Sequence, residues 1–123
     1  EAKAIAAFKR SIAEGRGFQP EAYAGLGLLY KEKAESLGDS DDAQVAAAFN
    51  ESAKNLAIAV KQLSGAPDAM VIMQLLGLIY ERQKKYKEAI AVYEDFLRLF
   101  PDSAEAEAVR SFIVQVKKEM SEQ

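Results

Sequence analysis

The chain has no cysteine and no histidine among its 123 residues. No disulfide framework can form, and no Cys/His zinc site can be built. The side chain that most often serves as a general base near neutral pH is missing too. No run of about 18 apolar residues occurs, so no segment reads as a helix that spans a membrane. A surplus of positive charge is also lacking, since the formal net charge is −3. That argues against a nucleic-acid partner, because phosphate recognition needs a basic stripe. The absence of cysteine leaves the compartment open, suiting the cytoplasm and a bacterial periplasm equally. The sequence starts at Glu1 without a methionine and inside a helical pattern, so it reads as a piece of something longer. A missing targeting segment therefore carries no weight.

What is present is ordinary for a globular protein, with half the residues hydrophobic and 28% charged. The length suits one domain, residues 1–123, able to bury roughly two-thirds of its unfolded surface. Every long segment has helical spacing and none alternates like a strand. The spacing predicts six helices. The first covers about Ala2 to Glu14, with Ile5, Phe8 and Ile12 on one face, and "GRGFQP" breaks it. The second runs from about Glu21 to Leu37, and Ser40 or Asp41 can cap the third. The third, about Asp42 to Ser64, carries Val45, Phe49, Leu56, Val60 and Leu63 as an apolar stripe. The fourth and fifth run from Asp68 to Gln83 and from Lys87 to Phe100. A sixth follows Pro101, where Asp102 and Glu105 have the offset of a capping box, and Val109, Phe112, Ile113, Val116 and Met120 share a face.

Internal repetition decides how such helices assemble. Superimposing Gly27 on Gly77 brings Leu26 onto Leu76 and Tyr30 onto Tyr80. Downstream of Gly77, Ala89, Tyr93 and Pro101 follow at fixed offsets. Gly77 should let two helices approach closely despite costing about 1 kcal/mol against alanine within a helix. Ala89 should offer the small surface it packs against, and Tyr80 and Tyr93 should fill the space between.

On these residues Met70 to Ser103 resembles one tetratricopeptide repeat of 34 residues. Leu76, Gly77, Tyr80, Ala89, Tyr93 and Pro101 all sit on signature positions. Met73 departs where tryptophan is usual, and Phe96 where a small residue is usual. The resemblance implies an all-α fold, antiparallel helix pairs stacked as a right-handed α-solenoid. Residues 1–19 would be the second helix of a truncated repeat, 20–69 an elongated repeat, 70–103 a regular one and 104–123 a C-terminal capping helix. Gly27 and Gly77 lie 50 residues apart rather than 34, and the surplus falls near "GDSDD". Leu37, Val45 and Phe49 would hold that extension together. "FLRLFPDSAEAEA" is also similar to repeats in bacterial envelope-associated and secretion-related proteins.

In that family the first helix of each pair lines a concave groove. The implied positions are Glu21, Ala24, Gly25, Leu28, Lys31 and Glu32 in one pair. In the next they are Val71, Gln74, Leu75, Leu78, Glu81 and Arg82. Leu28, Val71, Leu75 and Leu78 would form an apolar floor, with Lys31, Glu32, Glu81 and Arg82 setting the register of a protein or peptide partner. Gly25 and Leu75 stand where a carboxylate clamp would need polar side chains, so no clamp for a peptide C-terminus is expected.

Other constellations have blander explanations. "GDSDDAQVAAAFNE" lacks the glycine spacing of a calcium loop, because Gly38 precedes the aspartates, and a helix-capping turn fits it better. "GLG" at Gly25–Gly27 has neither the preceding strand nor the third glycine of a dinucleotide site, and suits close helix packing. "RQKKYKE" reads as a solvated turn between paired helices. The glutamates lie on polar helix faces and not as a facing pair in a cleft. The expected function is a non-catalytic protein-binding scaffold with no cofactor and no metal. The alternatives are a self-associating homo-oligomer or a regulatory module of a larger protein.

Overall fold

Helical spacing becomes helices almost residue for residue. The computed structural model describes residues 1–38 and 41–123. They form α1 (Ala2–Glu14), α2 (Pro20–Leu37), α3 (Asp42–Leu63), α4 (Ala69–Arg82), α5 (Tyr86–Leu99) and α6 (Ala106–Ser121), with no strand among the described residues. Contacts divide them into two compact units, Glu1–Ser64 and Gly65–Gln123.

Local chemistry sets the ends. Asp41 caps α3, its carboxylate accepting the Gln44 N–H at 3.1 Å; Ser40, the other candidate, lies outside the described residues. α3 closes with Ser64 in the left-handed region at φ 51°. Pro20 stands in the first turn of α2, where its missing N–H costs nothing. Pro101 follows α5 by two residues, and Phe100 before it is pushed out of helical geometry, with ψ 57°. The capping box expected at Asp102 and Glu105 does not form. Residues 101–105 instead make successive turns, Ser103 N–H bonding Phe100 O and Ala106 N–H bonding Ser103 O, so α6 begins at Ala106.

In the first unit α2 and α3 are the long pair, with 18 and 22 residues against 14 each in α4 and α5. They run antiparallel: Gly27 meets Ser52 and Leu56, whereas Gln19, nearer the start of α2, meets Gln62, nearer the end of α3. The tight line on α3 is Ala48, Ser52, Leu56 and Ala59 rather than the expected stripe. Leu56 is fully buried, but Val45, Phe49, Val60 and Leu63 are only half-buried, as is Leu37. Small residues win that line because the helices come so close. A Cβ on Gly27 would stand 2.5 Å from Leu56 Cγ, and buried Ser52 donates its hydroxyl to Gly27 O at 2.6 Å. Gly25, two residues earlier, faces the other way, against the Phe8 ring of α1. Gln62 secures the α1–α2 connection, accepting from Gln19 N–H at 3.0 Å and donating to Gly17 O at 2.5 Å.

The second unit packs α4 on α5 and α5 on α6. Its core holds Met73, Leu76, Ile79, Ala89, Tyr93, Phe96, Val109 and Val116. Met73 and Phe96, the two departures from the repeat signature, are both buried, and Phe100 lies against Phe96 with ring centroids 5.5 Å apart. At Gly77 the space a side chain would take is filled by the Tyr93 ring. A Cβ on Gly77 would collide with Tyr93 Cε1 and Cζ.

Replacing Gly27 with valine tests the close pairing of α2 and α3. Overpacking against Leu56 should cost about 1–3 kcal/mol, read as a lower urea midpoint at unchanged slope. Unchanged stability would show that this contact does not constrain the pair.

Candidate functional site

In α4 the residues at helical spacing on one side are Val71, Gln74, Leu75, Leu78 and Glu81. They form one wall of a groove of about 460 Å³, completed by Tyr93 of α5 and Phe112 of α6. Its apolar members face solvent: Val71 is 65% exposed, Leu78 41% and Phe112 39%. Glu81 is the single charged side chain lining the groove.

The floor depends on Gly77. Without a side chain there, the Tyr93 ring packs close against Gly77 of α4 and its hydroxyl donates to Glu81 Oε2 at 2.5 Å. The ring also meets Phe112, with centroids 5.5 Å apart and planes tilted by 48°. Burial pushes the Tyr93 phenol well above its ordinary value of 10, and the bond to the Glu81 carboxylate pushes it further. Burial also raises Tyr80, with the Glu88 charge adding to it. Gln74 turns its amide back onto its own helix, donating to Met70 O at 3.3 Å.

Five of the nine residues expected at the partner groove are therefore brought together: Val71, Gln74, Leu75, Leu78 and Glu81. Arg82 stands on the same helix but outside the lining, on the exposed side next to the α4–α5 turn. Leu28, Lys31 and Glu32 belong to α2, in the first unit. Leu28 is 41% exposed and Glu32 is exposed. Lys31 pairs with Glu35 one turn along, at 3.0 Å.

Tyr93 and Phe112 are the groove residues that sequence reasoning placed elsewhere, Tyr93 as filling between helices and Phe112 on the covering face of the last helix. The repeat itself held the signal for Phe112. It stands 34 residues after Leu78, which the glycine superposition aligns with Leu28, so all three share one register.

Among the described residues no helix is long and apolar enough to cross a membrane. Comparison with protein families matches residues 70–110 to the tetratricopeptide repeat. No curated protein and no solved structure matches the chain.

Raising the Tyr93 phenol has a consequence for alkaline stability. The folded state holds this proton more tightly than the unfolded chain, so the contribution is complete below pH 10 and is lost as pH rises beyond it. In a spectrophotometric titration Tyr93 should ionise only above pH 10, together with unfolding. Tyr93→Phe should remove one late-ionising group. A late absorbance step of unchanged size in that variant would contradict the buried hydroxyl.

Proposed function

Taking as premise that residues 70–110 are a tetratricopeptide repeat, we propose that the chain is a non-catalytic scaffold holding a peptide or helix of a partner protein in the groove along α4. Repeats of this family mediate protein–protein interaction and are in general non-catalytic. The observation that carries the proposal is the solvent-facing apolar groove lined by Val71, Leu75, Leu78 and Phe112. Contiguous exposed apolar surface with a polar rim is what a docking site for a protein segment needs.

In this proposal residues 1–123 make one repeat domain. An elongated pair at 20–69 follows the second helix of an earlier repeat at 1–19, a regular pair occupies 70–103, and 104–123 caps it. Leu28, Lys31 and Glu32 on α2 would contribute partner contacts of their own, and Arg82 would contribute charge beside the groove. A groove of this size suits micromolar affinity, on the order of −8 kcal/mol. A regulatory role within a larger protein of the bacterial envelope or a secretion system would use the same surface.

Alanine at both Leu75 and Leu78 should weaken binding of a captured partner about tenfold or more, since each truncation removes roughly 1–2 kcal/mol of apolar contact. Titration calorimetry reads the affinity and circular dichroism checks that the helices remain. Unchanged affinity in the folded double variant would place the binding surface elsewhere.

A further inference from the structure

The α4–α6 groove has a direction. Its apolar residues Val71, Leu75 and Leu78 run toward Glu81 in the last turn of α4. At 1.5 Å rise per residue, Val71 and Glu81 lie ~15 Å apart along the helix. One end of the groove is therefore apolar and the other carries a carboxylate.

Glu81 is half-buried, and its Oε2 accepts from the Tyr93 hydroxyl. Among the described residues Oε1 is left for a ligand. Among them no ion pair engages Glu81, although Arg82, Lys84 and Lys85 follow it in sequence. Its position in the last turn adds the negative end of the helix dipole to its own charge. An apolar segment laid over this carboxylate would strip its water and return nothing, which is costly. A segment bringing an ammonium or guanidinium there would replace the lost water with a charge-assisted hydrogen bond.

Resting on the function proposed above, we infer that the groove selects a partner segment whose large aliphatic or aromatic side chains are followed by a lysine or arginine that pairs with Glu81. In an extended segment the basic residue falls within about four or five positions of the far apolar anchor, at roughly 3.3 Å per residue. The rest of the surface does not dictate this choice. The overall charge of −3 favours cations weakly and everywhere, whereas Glu81 fixes one cation at one end.

The test is a phage-displayed library of random dodecapeptides panned on the full chain. Peptides that no longer bind the Leu75→Ala, Leu78→Ala variant are the groove-dependent ones. These should be enriched in lysine or arginine on one side of an apolar pair. In the best such peptide, norleucine in place of the basic residue should weaken binding to the native protein about tenfold. The same change should have little effect on binding to Glu81→Gln, whose amide oxygen can still accept from Tyr93. Groove-dependent peptides without basic enrichment, or an equal loss on both proteins, would overturn the pairing with Glu81 while leaving the groove as the binding site. Recovery of no groove-dependent peptide would overturn the proposed function itself.

Discussion

Helices can approach only as closely as the side chains between them allow, and where α1 meets α2, α2 meets α3 and α4 meets α5 the limiting residue is glycine. Gly27 admits Leu56, Gly77 admits Tyr93, and Gly25 admits the ring of Phe8. A glycine within a helix weakens it by about 1 kcal/mol. What offsets that loss is the burial of a large side chain directly against the neighbouring backbone. Leu56, Phe96 and Val109 have no solvent exposure, and Tyr93 has almost none. In the first unit the approach is close enough for a hydroxyl to bond across it, from Ser52 to the carbonyl of Gly27.

The groove follows from the same constraint. Because Gly77 is bare, Tyr93 packs close to α4, and its hydroxyl reaches Glu81 while its ring packs at a tilt on Phe112. Packing thus positions both the floor of the site and its one charged group. A larger residue at position 77 would displace Tyr93 and with it the orientation of the Glu81 carboxylate. Fold and candidate site are parts of one arrangement.

The elongated α2–α3 pair is built differently from the regular α4–α5 pair. The buried line of its α3 is Ala48, Ser52, Leu56 and Ala59, and polar side chains secure the ends of the pair, Gln62 at the α1–α2 connection and Asp41 at the start of α3. α4–α5 relies instead on large residues, with Met73, Ile79, Tyr93 and Phe96 all buried. The first pair gains its contact through length, the second through volume.

The sequence by itself determined that the described chain is helical, where nearly every helix begins and ends, and that a stretch from residue 70 onward is similar to a tetratricopeptide repeat. These are local matters: apolar spacing, capping side chains, proline and glycine act on their own neighbours. The α4 wall of the groove was legible for the same reason, since residues three and four apart on one helix share a face. Partners across helices were not. That the Tyr93 ring fills the space beside Gly77, that α3 buries alanines and serine in place of its valines, and that Phe112 turns toward a groove all depend on the rotation and separation of packed helices. Several rotations satisfy one apolar pattern, and the choice among them is made by which side chains fit together once the helices touch.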